Sequence, residues 1–443
     1  MKIAKLILII IISTGMLYCS NDNIANPIDD NLVQEIEPDL LYDYPYQLIN
    51  DNDEIIFSSI GALYSSKIDE SGNKNLIFRS PKGWGIIQNS ISPDHQRILF
   101  TMMKPNCQNW PNEDGVNCGY GRLTLWLAYH EPNNLNDPQD DKWVLKNLSP
   151  IYGANADIHG WTSWQSNKYA LFNALIRPND QPVLGTSQED NNAQAYQIRF
   201  DSNTDINIEL WGQGEMYRPD CLIGRLYSSN PQNKDEAIDG QRIVFARRCY
   251  SEPVSNESYA WWNTQNSDGT GGKCVGNLPS FEVPILRLYI IEADINGQPK
   301  SPPKLTRQPS TELLFRQMNK TPEWGDMQPA ISKNGKFVAF HTVKGFTDDT
   351  NNCAAFKEHS SSVVNYCELD DNLECKEIKQ FPLPDKLPVG QGQPFFVEKD
   401  GQTYLIITED DHTGNGSFAV AINLNDPETR IRLFEGIGGY PLK

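Results

Sequence analysis

One short pattern recurs six times along the chain, and an array of similar units constrains a fold more than any other feature of this sequence. Each copy is a turn pair of Asp, Asn or Ser followed by Gly, Asn or His, then two variable residues, then three mostly apolar residues that mostly end in an aromatic. The copies occupy 51–57, 94–100, 166–172, 239–245, 334–340 and 400–406. Asp-Gly and Asn-Gly favour tight hairpins, because both central positions of a type I′ turn need positive φ, which Gly adopts freely and Asn or Asp more readily than most. The apolar triplet does not alternate with polar residues, which is the pattern of a strand covered on both faces. Each copy therefore predicts a hairpin entering a doubly covered strand.

Two further strand-like runs follow each copy: 62–69 with 75–80, 123–130 with 143–149, 195–201 with 206–211, 285–294 with 303–307, 363–370 with 376–382, and 417–424 with 429–435. With the strand before each turn, every unit has four strands. Four-stranded antiparallel units repeated radially make a β-propeller, which leaves only short, protected edges. The expected fold class is all-β, a propeller of six four-stranded blades with long disulfide-stapled loops at 105–120, 249–284 and 345–362. Whether the N-terminal or the C-terminal strand completes the first blade is left open. A helical solenoid is a poor competitor, because no 3.6-residue apolar period extends across any repeat.

Ser92-Pro93-Asp94-His95-Gln96-Arg97-Ile98-Leu99-Phe100-Thr101 resembles the S-P-D-G-x-x-I-x-F-[ST] repeat of TolB-type (WD-type) propellers, with His95 where Gly is usual. The segments 288–294, 304–307 and 331–342 resemble the same family, and the likeness extends as repeats over 50–435. It implies a fold and little more, since sites are grafted onto folds. Members of the family serve as periplasmic scaffolds, as ligand-binding modules, as covers on serine peptidases and as sugar-cleaving enzymes. No peptidase domain is expected beyond the last blade.

Residues 1–19 read as an export signal: Lys2 and Lys5 precede an unbroken apolar run at 6–12, and Ser13, Thr14 and Gly15 follow. The run ends in Met16-Leu17-Tyr18-Cys19-Ser20, which resembles a bacterial lipoprotein processing site with Tyr18 at a position usually small, making Cys19 the expected lipidation site. Residues 20–39 are polar, acidic and free of aromatics before Leu40, a tether between anchor and a single propeller domain at 40–443. Of nine cysteines, Cys19 set aside leaves an even remainder, Cys107, Cys118, Cys221, Cys249, Cys274, Cys353, Cys367 and Cys375, which suits disulfide pairing in an oxidising compartment. Spacing suggests local pairs, with Cys107 and Cys118 bracketing one loop and Cys353 near Cys367 and Cys375; no C-x-x-C occurs, which disfavours a metal site.

The net charge of −19, with no run of basic residues, argues against nucleic acid and against anionic membrane surfaces. By offset from the turns, Asn89, His159, Asp326, Gln328 and Gln393 fall on the innermost strands and are the expected channel-lining binding residues, or simply solvated polar groups. Trp161 and Trp164 suit either a sugar-stacking surface or packing between blades, while Trp261 and Trp262, in a loop, are the better binding candidates. Glu409-Asp410-Asp411-His412 is the densest ionisable cluster and reads as a metal or acid–base group or as an exposed acidic turn. The run 201–207 places oxygen side chains like the start of a calcium loop but lacks its Gly and Glu, so a hairpin turn is expected.

No G-x-S-x-G, H-E-x-x-H, Walker or G-x-G-x-x-G motif is present. The leading expectation is an exported, periplasmic or outer-membrane lipoprotein of a bacterium. It is expected to be monomeric, to touch the membrane only through its lipid anchor, and to act without catalysis as a binding or scaffold module for a protein or glycan partner. No cofactor is required, with calcium or another divalent metal as an option. The alternative is a carbohydrate-active enzyme, a polysaccharide lyase or glycosidase, with His159, His341, Asp411 and His412 as catalytic candidates.

Overall fold

The turns that open each repeat hold themselves shut with side chains. Ser92 Oγ donates to Asp94 Oδ1 at 2.5 Å and accepts from the Arg97 N–H at 2.9 Å, while Asp94 Oδ1 accepts from the Gln96 N–H at 3.0 Å. The same three bonds recur at Ser332, Asn334, Lys336 and Phe337, at 2.7, 2.9 and 2.9 Å. The second turn residue is left-handed at His95 (φ 60°), Gly240 (81°), Gly335 (71°) and Gly401 (71°), and at Asp400-Gly401 the first is as well (52°). The type I′ form expected everywhere is thus confined, among these four, to the last copy. In the 94 and 334 turns, the Asp or Asn side chain takes up the turn N–H groups, so its own backbone stays right-handed.

The computed structural model describes residues 43–45, 54–59, 61–69, 72–80, 84–103, 123–132, 141–148, 156–176, 194–212, 221–249, 287–307, 323–345, 360–381, 390–410, 417–436 and 440–441, with the backbone alone at several strand ends. Strand β1 (Asp43–Pro45) precedes the blades. The first blade contains β2 (Glu54–Ser59), β3 (Ala62–Lys67) and β4 (Asn75–Arg79). The second has β5 (Gly85–Ile91), β6 (Arg97–Met103), β7 (Leu123–Glu131) and β8 (Lys142–Asn147). The third has β9 (Ala156–Trp164), β10 (Tyr169–Ile176), β11 (Gln194–Phe200) and β12 (Ile206–Leu210).

The fourth blade has β13 (Cys221–Ser228), β14 (Gln241–Cys249), β15 (Arg287–Ala293) and β16 (Lys304–Arg307). The fifth has β17 (Glu323–Ile331), β18 (Phe337–Gly345), β19 (Ser360–Glu368) and β20 (Lys379–Gln380). The sixth has β21 (Gly390–Lys399), β22 (Gln402–Asp410), β23 (Ser417–Asn423) and β24 (Asp426–Gly436), and β25 (Tyr440–Pro441) follows. No helix occurs among the described residues, so none there is long and apolar enough to cross a membrane.

Pairing within each blade is antiparallel, and one parallel bridge, Ser362 to Gly390, links the fifth and sixth sheets. The fold is a six-bladed β-propeller. β25 pairs with β2 and so supplies the inner strand of the first blade, while β1 pairs with β8 on the outer edge of the second. The C-terminal strand therefore closes the ring.

The unbroken apolar triplets now have a physical cause: successive residues face opposite neighbouring blades. Leu99 packs toward the third blade while Ile98 and Phe100 pack toward the first; Val244 packs toward the fifth while Ile243 and Phe245 pack toward the third. Apolar clusters of this kind fill every interface between blades, the joint between the sixth and the first included. In four blades the repeat aromatic also stacks on its direct cross-strand partner: Phe57 on Tyr64, Phe100 on Trp126, Phe172 on Tyr196 and Phe245 on Tyr289, at 5.5–6.4 Å between centroids.

One expectation needs correction. The outer strand expected at 376–382 shrinks to Lys379–Gln380: the Cys367–Cys375 disulfide and a Leu369–Cys375 bridge draw the preceding turn onto the end of β19, while the Cys375 N–H points the other way, to Thr306 O of the fourth blade at 3.1 Å. The disulfide joins two of the expected cysteines as a local pair, closing a hairpin with a sequence separation of 8. Cys221 lies opposite Cys249 in the β13–β14 register, with their side chains outside the description. Cys19, Cys107, Cys118, Cys274 and Cys353 lie outside the described residues, as do nearly all of the three long loops.

Candidate functional site: the inner ring

The inner strands β5, β9, β13, β17 and β21 all break register close to the repeat segment of the strand they pair with. The breaks fall at Ile86 to Gln88, Gly160 to Ser163, Ile223 to Leu226, Met327 to Ala330, and Gly392 to Phe395. Such bulges re-aim side chains out of the regular pleat. Trp161 (φ 58°), Gln328 (48°) and Gln393 (52°) sit at them in the left-handed conformation. Pro329 and Pro394 follow the two glutamines, as fits a residue with no N–H to give a ladder.

The bulges are clasped to one another around the ring. Gln88 Oε1 accepts from the Trp161 N–H, and Gln328 Oε1 accepts from the Gln393 N–H at 3.2 Å, so one device joins the second blade to the third and the fifth to the sixth. Between β5 and β9, the Ser90 and Thr162 hydroxyls bond at 2.5 Å and Trp164 Nε1 donates to Ser90 O at 3.1 Å. Between β9 and β13, the Ser228 N–H donates to Ser163 Oγ at 2.9 Å.

Several polar groups of this ring are buried and left over. Both side-chain polar atoms of Asn89, the Trp161 indole nitrogen, Arg225 Nη1, His341 Nδ1 and Gln393 Oε1 have no hydrogen-bond partner. Their residues are 2–5% exposed, so they are not the solvated channel residues that the sequence reading allows. Leaving such a group unpaired costs about 1–3 kcal/mol. Arg225 lies over the Tyr227 ring at 5.2 Å, and burial lowers its pKa to about 10, leaving it charged at neutral pH; burial also raises the Tyr227 phenol. His341, on β18 opposite Met327, is driven down to about 4, first by burial and then by the Arg225 charge, so its imidazole is neutral.

Of the residues singled out in the sequence, the structure thus places Gln328, Gln393 and Trp161 at inner bulges and Asn89 on β5 just past its bulge, opposite Phe100, with His341 on β18 opposite Met327 of β17. His159 and Asp326 lie on β9 and β17, but their side chains are outside the description, and Trp261, Trp262, Asp411 and His412 are outside it altogether. Trp164 packs between blades, stacked on Phe200 at 5.2 Å. Glu409 is 4% exposed and already engaged: it accepts from Arg430 Nη1 at 2.8 Å and from Gln391 Nε2 at 2.9 Å, while Gln391 Oε1 accepts from the Val364 N–H. Asp201 ends a tight hairpin and is held below the usual carboxylate range by Lys168 and Arg199, at 3.2 and 3.1 Å. Among the described residues, no group of three or more His, Cys, Asp or Glu is placed to hold a metal.

Sequence reasoning missed Gln88 and Arg225. Gln328 and Gln393, which meet in one clasp, are each followed by Pro, whereas Gln88 of the other clasp is followed by Asn89, so no shared motif marks the device in the sequence.

No protein-family model matches the chain, and no curated protein matches it in sequence. Solved structures resemble it in fold at low identity. A Synechocystis ACO variant shares 13% identity at a TM-score of 0.39, covering 86% of this chain and 69% of its own. The polysaccharide lyase Uly1 shares 10% at 0.38, over 93% and 87%. An α-L-arabinofuranosidase from Lactobacillus brevis shares 11% at 0.37, over 78% and 92%. Glycoside hydrolases, a lyase and prolyl peptidases all occur among such neighbours.

Proposed function

We propose that the protein is a TolB-like binding propeller that holds a hydroxyl-rich ligand, a glycan or sugar derivative, at its inner ring. The observation that carries this reading is the set of unpartnered buried groups on the inner strands, at or next to their bulges, which mixes donors (Asn89 Nδ2, Trp161 Nε1) with acceptors (Asn89 Oδ1, Gln393 Oε1). A sugar hydroxyl both donates and accepts, so a polyol satisfies such a set where a simple ion does not. The leader-like residues 1–19 and Cys19 support placing this module in a bacterial envelope on a lipid anchor. Engagement of Glu409 with Arg430 and Gln391 removes one carboxylate from the acid–base cluster that an enzymatic reading would use.

Thermal unfolding across a panel of neutral and acidic oligosaccharides tests the proposal. A ligand at 100 times its Kd stabilises by about 2.7 kcal/mol, which in a chain of this size raises Tm by about 3 °C. Gln393→Ala and Trp161→Phe are expected to shrink that shift. A panel that leaves Tm unmoved contradicts the reading and turns the search to protein partners.

A further inference from the structure

Arg225 is the most costly group in the ring. It is 2% exposed on the bulge of β13, its Nη1 is unpartnered, and no carboxylate pairs with it among the described residues. A buried charge without a counter-charge costs several kcal/mol, so such a group persists in a fold when something else neutralises it. Among the described residues, the groups that interact with it are the Tyr227 ring beneath it and His341 from β18. Neither supplies negative charge, because the phenol and the imidazole are both neutral.

We propose that Arg225 anchors a ligand carboxylate, so that the hydroxyl-rich ligand of the inner ring is a sugar acid. The inference rests on the binding reading above. A guanidinium fork matches the two oxygens of a carboxylate, and one negative charge balances one arginine. A phosphate dianion would leave a surplus charge, since His341 is held neutral rather than serving as a second cation. The bulge releases Arg225 from the β13–β14 ladder, whose register resumes at Leu226 opposite Phe245.

Calorimetric titration of the full chain with D-glucuronate, D-glucose and acetate tests this, in the wild type, Arg225→Met and Arg225→Lys. Glucuronate is expected to bind at least tenfold more tightly than glucose. Arg225→Met is expected to abolish that advantage and to raise the Tm of the ligand-free protein, because the unbalanced charge is gone. Arg225→Lys keeps the charge but not the fork, and is expected to weaken glucuronate about tenfold with the fold retained.

Equal affinity for glucuronate and glucose overturns the carboxylate anchor while leaving the ring reading in place. A lower ligand-free Tm for Arg225→Met overturns it too, since a merely structural arginine behaves that way. Acetate binding that disappears in Arg225→Met, with glucose inert, supports the anchor and contradicts the polyol reading. Failure of all three probes overturns both.

Discussion

At the scale of single residues, the fold is defined by polar side chains sealed between blades. His341 makes stability depend on pH. Unfolded, it titrates near the ordinary 6.5; folded, near 4, so between those values the unfolded chain binds more protons. Its contribution is therefore fully present above about pH 6.5 and lost as pH falls toward 4, a total of about 3 kcal/mol. Urea unfolding at pH 7 and pH 4 is expected to show this loss, and His341→Gln is expected to flatten it. Gly297 is a second such point. It is left-handed (φ 73°), its carbonyl accepts from Gln165 Nε2 and Trp211 Nε1 at 2.7 Å each, and a Cβ there would collide with the Gln165 side chain. Gly297→Ala is expected to cost about 2–4 kcal/mol by denaturant unfolding with an unchanged m-value. None of this was legible in the sequence, because Gln165, Gln197, Trp211 and Gly297 meet only when the third and fourth blades pack.

At the scale of elements, turns and strands carry strong local signals. The strand runs read from the repeat match β3, β4, β7, β8, β11, β12, β15, β16, β19, β23 and β24 to within a few residues, because residues at 62–67 or 123–131 need only a turn pair and an apolar stretch to be seen. The failure at β20 comes from a disulfide and a bridge that tie the preceding turn to the end of β19 and from a backbone bond to the neighbouring blade. Cys375→Ser opens a short loop and is expected to lower stability by about 2 kcal/mol, measured against wild type under reducing and non-reducing conditions, with the difference vanishing on reduction. A strap between blades was equally hidden. Arg97 donates to Asn167 O at 3.0 Å and Arg242 to Gly335 O at 2.8 Å, each reaching from its own repeat to the second turn residue of the next. Arg242→Met is expected to cost about 1–2 kcal/mol by the same unfolding assay.

At the scale of the whole molecule, six blades need a closing strand, and β25 provides it through Phe57 opposite Pro441 and Ser58 opposite Tyr440. The six-fold repeat made the architecture legible, whereas the choice of terminus was not, since a strand of two residues carries no pattern. Removing residues 437–443 is expected to lower stability by about 2 kcal/mol, because the inner edge of β2 loses its partner. The candidate site was half legible: offset counting found Asn89, Gln328 and Gln393, but not their burial or the Arg225 charge, which arise from bulges that the repeat pattern does not encode. The most direct test is a crystal structure of the protein soaked with D-glucuronate. The account predicts the sugar at the inner ring, its carboxylate on Arg225 and its hydroxyls within hydrogen-bond distance of one or more of Asn89, Trp161 and Gln393. A sugar bound elsewhere, or an inner ring holding only water at saturating glucuronate, would contradict it.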